Sequence, residues 1–381
     1  MLNPIIINFR SDRKKPPYEK LRSLEDPERF MWHILPHAAR TFSLSIVFLP
    51  RRLRPALAVA YLYCRMLDTY EDLLPEAAAK GRALRSFIDR FAGADEPGPA
   101  PALDPALSDD PRERTHLLLV NRAHLVDRVF AGLTAGQREA IRRLVRRMGE
   151  GMLWSSRVMD DQGGVLRSPE QLSRYCWNVL GTPLLFAQEV QRLDQGLPAE
   201  VPAARLRSCA RVGEMIQLAN ITRDLEKDRE RGVCYHPELA GDDGAPNVRR
   251  IRAQLVLRAL RLAAECRPFV ESIPAPRVSL ARGGAVMMLL TTFSYYHRAA
   301  QKAGLPAFEE AEKPTRLGGG LTWARCVFSR KATSLFLARL ETRTQAAFSR
   351  CRPPRSERFV YDDGDWDATL AGVNEKRDEV R

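Results

Sequence analysis

No run of this 381-residue chain is long and apolar enough to suggest a membrane span. The longest uncharged stretches, 175–188 and 283–297, fall short of the ~18–20 apolar residues that crossing a bilayer requires. The first ten residues, MLNPIIINFR, have no basic start and only a few apolar residues, so a secretory signal is not expected. The seven cysteines are scattered without a C-x-x-C pair, which fits neither a zinc site nor a disulfide framework. A reducing cytoplasm is the expected compartment. Also missing are G-x-G-x-x-G, G-x-x-x-x-G-K-[ST] and H-E-x-x-H, so nucleotide-cradling loops and a zincin site find no support. His33 and His37 stand at i, i+4 without a third ligand and read as one helix face. Period-two strand patterns are almost absent.

What is present is an ordinary globular composition, 45% hydrophobic and 28% charged, with a formal net charge of +13. That balance points to nucleic acid, an anionic membrane surface, or an anionic substrate such as a diphosphate. The basic residues are spread out instead of lining one helix between aromatics, which argues against nucleic acid. Apolar spacings of three and four recur through 113–156, 169–194, 203–231, 247–272, 277–303 and 321–348. The expected fold is all-α, one helical bundle of roughly eight to ten helices with a central active-site cavity. Residues 1–25 are expected to form a basic arm, on the surface or disordered. Residues 26–349 would form the bundle and 350–381 a polar tail.

Two segments carry candidate chemistry. Asp68 and Asp72 in CRMLDTYEDLL stand at i, i+4 and so share a helical face. The flanks are apolar, and paired carboxylates in such a setting repel unless a cation lies between them. Asn220-Ile-Thr-Arg-Asp224-Leu-Glu-Lys-Asp228 repeats the pattern, and Gln217, Asn220 and Asp224 form a polar stripe on an otherwise apolar helix. A lone D-x-x-x-D is more often a solvated acidic face. Two of them on apolar helices, with Arg65 and Arg223 nearby, suggest two clamps for metal and an anionic group. Arg40, Arg65, Arg223, Arg229 and Arg231 could grip diphosphate oxygens. Tyr175 opens YCWNVLGT, where Gly181 also allows the plainer reading of close helix packing.

RTFSLS (40–45), YCRMLDTYED (63–72), YCWNVLGT (175–182) and QLANITRDLEKDRERG (217–232) together resemble the squalene/phytoene synthase family. The resemblance runs from about Phe30 to Leu340, and the form DTYED is more similar to squalene synthases. It implies an isoprenoid-synthase-type helical fold and a prenyltransferase. Two farnesyl diphosphates would join head to head through presqualene diphosphate, and NADPH would reduce this to squalene. Phytoene or dehydrosqualene synthesis, use of geranylgeranyl diphosphate, or a halt at presqualene diphosphate are the alternatives. By the resemblance, Asp68, Asp72, Asp224 and Asp228 would hold Mg²⁺, and Tyr175 would move the proton lost on cyclopropane closure. Arg40, Thr41, Phe42, Arg65, Gln217, Asn220 and Arg223 would contact substrate, and Arg330 and Lys331 would meet NADPH. One departure stands out: Val233 occupies a place where the family usually has Arg. A cytoplasmic protein with peripheral contact to anionic membrane is the expected setting.

Overall fold

The computed structural model describes residues 3–39, 42–92, 96–241, 244–273, 278–305 and 316–350. Among them the regular structure is helical, and the only β pairing is an isolated parallel bridge between Val165 and Cys234. The all-α expectation holds. In chain order the α-helices are α1 (Pro4–Arg10), α2 (Tyr18–Arg22), α3 (Pro27–Ala39), α4 (Phe42–Val47), α5 (Arg54–Leu73) and α6 (Ala77–Asp89). Then come α7 (Pro111–Asn121), α8 (Ala123–Ala131), α9 (Ala135–Asp161), α10 (Pro169–Cys176), α11 (Thr182–Asp194) and α12 (Ala203–Glu230). The last are α13 (Gly244–Leu262), α14 (Cys266–Glu271), α15 (Leu280–Ala303), α16 (Arg316–Phe328) and α17 (Arg330–Arg350). Among the described residues no helix is long and apolar enough to cross a membrane.

These are more and shorter helices than the periodicity predicts. The 113–156 stretch is cut at Arg122, whose φ of −115° and ψ of 27° leave the helical region. A second cut falls at Thr134. Its hydroxyl accepts from the Gln137 amide while the Gln137 side chain accepts from the Thr134 amide, both at 3.3 Å, which starts α9 as a capping box. Such caps are local choices that an apolar period does not reveal.

The chain divides into two compact units. The first holds residues 1–156, 186–201 and 274–288. Its core lies where α5 meets α3, α6, α7 and α8. Tyr63, Phe87, Phe91 and Phe130 form an edge-to-face cluster, with Tyr63 and Phe91 ring centroids 5.1 Å apart. The Tyr63 hydroxyl donates to Asp127 at 2.7 Å, and Arg90 completes the buried group by pairing with the same carboxylate. The described part of the N-terminal arm contains two short helices. α1 packs on α3 and α4, α2 packs on α3 and α7, and Leu21 is fully buried. The basic composition hid this docking because only a few apolar residues carry it. The tail beyond residue 350 lies outside the described residues.

The second unit holds residues 157–185, 202–273 and 289–381. α12 is its central helix and packs on α10, α13 and α14. Glu214 of α12 is fully buried and meets Arg258 of α13 at 2.9 Å.

His37 in the first unit and His236 in the second are nearly fully buried, and each titrates at about 4. Burial is the main cause. Arg13 adds to it at His37 and Arg250 at His236, against Asp12 and Glu238 respectively. The folded pKa lies below the unfolded one, so each histidine contributes stability above about pH 6.5 that is lost as the pH falls toward 4. We expect about 2 kcal/mol less stability per histidine at pH 5 than at pH 7. Melting temperatures across that range, in wild type and in His236→Gln, check this; an equal acid loss in the variant would contradict it.

Candidate active site

α5 is a run of good helix formers with Pro55 in its first turn, and it stops before Leu74, which is extended because Pro75 follows. Its apolar positions bury Leu62, Met66, Leu67 and Tyr70, which leaves Arg65, Asp68 and Asp72 on the accessible side. Arg65 NH1 lies 3.1 Å from Asp68 Oδ2. Arg65 NH2 donates to the Tyr61 hydroxyl at 3.3 Å, and the Tyr61 ring stacks on Phe42 at 6.2 Å. Phe42, Arg65 and Asp68 are thus joined as one chain of contacts, and Tyr61, which the sequence reading missed, is its link. Tyr61 stands four residues before Arg65, a helical spacing that could have flagged it. Arg40 and Thr41 lie outside the described residues.

Burial pushes the Asp68 carboxyl up to about 6, against Arg65 and with the help of Asp72. Burial also pushes neighbouring Glu71 up to about 8, and Asp72 and Asp68 add to it. Burial works against the Arg65 charge, but Tyr61 and Asp68 outweigh it and raise its pKa. This face therefore gathers more negative charge than its one arginine neutralises. A cation would relieve it.

In the second unit α12 carries the other motif. Its C-terminus is closed by Gly232 at φ 78°, and the Val233 amide donates to the Asp228 carbonyl at 2.9 Å, a Schellman closure. Asp228 thus sits in the last turn, where the helix dipole disfavours a negative side chain. Arg223 curls onto its chain neighbour Asp224. Its Nε donates to Oδ1 at 2.9 Å, NH2 pairs with Oδ2, and NH1 donates to Asn220 Oδ1 at 3.2 Å. Asn220 in turn donates to Gln217 Oε1 at 3.1 Å. Neighbours on a helix point ~100° apart, so this curl needs support. Tyr295 of α15 gives it: the guanidinium carbon lies 4.8 Å from the Tyr295 ring centre. Tyr295 was not among the expected site residues, and its place in SYYH carries no distinguishing signal.

Tyr175 ends up beside a second tyrosine. After Gly232 the chain pairs with 164–166: the Cys234 amide donates to the Gly164 carbonyl at 2.8 Å and the Leu166 amide to the Cys234 carbonyl at 2.9 Å. Tyr235 follows directly, and its hydroxyl lies 3.3 Å from that of Tyr175, both side chains buried. The close-packing reading of the YCWNVLGT segment is seen at Gly181. Trp177–Gly181 forms a single π turn, and a Cβ on Gly213 of α12 would stand 2.7 Å from Gly181 Cα. So Gly181 serves close backbone packing, while Tyr175, six residues earlier, keeps a hydroxyl partner. Arg330 and Lys331 open α17 and are exposed. α17 packs on α13, α14 and α16.

The family model described as squalene/phytoene synthase matches residues 35–303. The chain belongs to that family. Its members are prenyltransferases that condense prenyl diphosphates head to head. Among curated relatives, Botryococcus squalene synthase of Botryococcus braunii is 31% identical over 219 residues, covering 55% of this chain and 42% of the relative. The 15-cis-phytoene synthase of Synechocystis sp. is 26% identical over 230 residues, 59% of this chain and 60% of the relative. The chain spans about half the length of the curated relatives it matches. The solved structure of TcSQS with a bound ligand superposes with a TM-score of 0.65 at 20% identity, covering 91% of this chain and 96% of the other, a likeness of fold. All four motif segments except part of RTFSLS lie wholly in the described residues and within the family match.

Proposed function

We propose that this family member condenses two farnesyl diphosphates head to head through presqualene diphosphate, with squalene as the product when NADPH is supplied. The observation that carries the reading is the repetition of one device in two motifs: an arginine held against the first aspartate of each i, i+4 pair, Arg65 on Asp68 and Arg223 on Asp224. Each pair would serve one diphosphate.

The donor set suits Mg²⁺. Among the described residues no group of three or more His, Cys, Asp or Glu could hold a metal by itself. Two carboxylates, with substrate oxygens and water completing the shell, are what Mg²⁺ ordinarily takes. Asp68 with Asp72, and Asp224 with Asp228, would hold it, and bound there it would neutralise the departing diphosphate. Arg65 and Arg223 have the fork geometry to take diphosphate oxygens once a cation replaces them on the carboxylates. The Tyr175 hydroxyl, with Tyr235 as its partner, can accept and pass on the proton released when the cyclopropane closes. The exposed Arg330–Lys331 pair would meet the NADPH phosphates. A cytoplasmic setting remains part of this proposal.

Product length decides between the farnesyl reading and the phytoene reading that the Synechocystis relative favours. Given equal labelled farnesyl and geranylgeranyl diphosphates with Mg²⁺ and NADPH, a C30 hydrocarbon is expected, and a C40 product alone would overturn the assignment. Val233 is half-buried and has no charge to offer at this step. The reductive half should therefore be slow, and Val233→Arg should speed it by roughly ten- to a hundredfold, the equivalent of one charge-assisted contact. No change in the ratio of presqualene diphosphate to squalene would contradict this.

A further inference from the structure

From residue 314 to residue 340 the chain has no acidic side chain but five basic ones, Arg316, Arg325, Arg330, Lys331 and Arg339. Residues 316–340 of it form α16 and the first half of α17, which pack against each other. Their accessible positions follow helical spacing. On α16 the exposed stripe is Leu321, Arg325 and Phe328; on α17 it is Lys331, Leu335 and Arg339. Leu321, Phe328 and Leu335 are more than half exposed, at 55%, 65% and 51%. Buried partners on the inner side, among them Cys326, Val327 and Leu337, hold both helices to the fold. The exposed positions of both helices therefore hold large apolar side chains interspersed with cations.

Apolar side chains left in water are costly, and cations between them would repel a second basic surface. The surface of an anionic bilayer satisfies both groups. The apolar residues enter the acyl boundary while the cations stay at the phosphates. We propose that the α16–α17 face is the docking surface of this protein for anionic lipid bilayers. The inference rests on the composition and exposure of this face and stands whether or not the proposed reaction is correct. It also gives Arg330 and Lys331 a use as headgroup contacts.

The test is co-sedimentation of the full chain with vesicles of phosphatidylglycerol and phosphatidylcholine, and with vesicles of phosphatidylcholine alone, at low and high salt. Binding to the anionic vesicles that weakens with salt is expected. Each cation contributes about a factor of five near such a surface, so Arg325→Gln with Arg339→Gln should weaken binding on the order of 25-fold. Phe328→Ser with Leu335→Ser should lower binding at least tenfold at every salt concentration, with turnover in detergent and the melting temperature unchanged. Equal binding by both double variants and wild type would overturn the proposal, as would equal binding to the two vesicle types. If light scattering shows a dimer that Phe328→Ser with Leu335→Ser converts to monomer, the face is occupied by a second copy and the proposal fails. If deletion of residues 351–381 is needed before vesicles bind, the tail is the resident occupant, which also overturns it.

Discussion

Asp68→Asn and Asp224→Asn should each lower turnover by about a thousandfold or more while leaving the fold intact. Each replaces a carboxylate by a neutral group of the same shape on a helix whose core side is untouched. Asp68 is not placed for stability: it is a half-buried carboxylate four residues from another, with Glu71 between them also short of compensation. Removing one charge relieves repulsion on α5, at the cost of one ion-paired contact from Arg65. The melting temperature of Asp68→Asn should thus stay within a few degrees of wild type. The activity loss reflects charge missing at the leaving group, where several kcal/mol of barrier are at stake. Circular dichroism melts beside turnover measurements separate the two. Activity that falls only in step with lost helicity would assign these aspartates to packing.

The largest expected effect on stability lies elsewhere, at Arg258. Its Nε donates to Glu214 Oε1 at 2.9 Å, with Glu214 fully buried and Arg258 nearly so. Burial already pushes the Glu214 carboxyl up, and Arg258 is the main group opposing that rise. Arg258→Met removes this neutralising charge from a buried carboxylate, for which about 3–5 kcal/mol is the expected loss. The double variant Glu214→Leu with Arg258→Met should recover most of it, because an apolar pair has no charge to desolvate. Denaturant unfolding of wild type, Glu214→Leu, Arg258→Met and the double variant reads this as a cycle. A double variant no more stable than Arg258→Met alone would contradict the ion-pair account. Gly213, next to Glu214 in the chain, meets Gly181 in the segment that carries Tyr175.

The motifs were legible because they depend on spacing alone. Aspartates at i, i+4 on apolar flanks fix both the helix and the face, and α12 ends within one residue of the expected 203–231 span. What could not be read depends on contacts far apart in sequence. Tyr235 meets Tyr175 only because the loop after α9 pairs with the loop after α12. Tyr295 meets Arg223 only because α15 returns beside α12. The N-terminal arm reads as basic from its composition, yet Leu21 gives α2 a buried anchor. The Trp177–Gly181 π turn has no sequence signature either, and its last residue, Gly181, lies against the Gly213 backbone of α12.

The central claim, head-to-head condensation, is tested most directly by one incubation: purified protein with Mg²⁺ and labelled farnesyl diphosphate, without NADPH, analysed by mass spectrometry and by diphosphate release. The expected result is presqualene diphosphate with one diphosphate released for every two farnesyl diphosphates consumed. Farnesol or a cyclised C15 product, with diphosphate released one for one and no C30 species, would contradict the account.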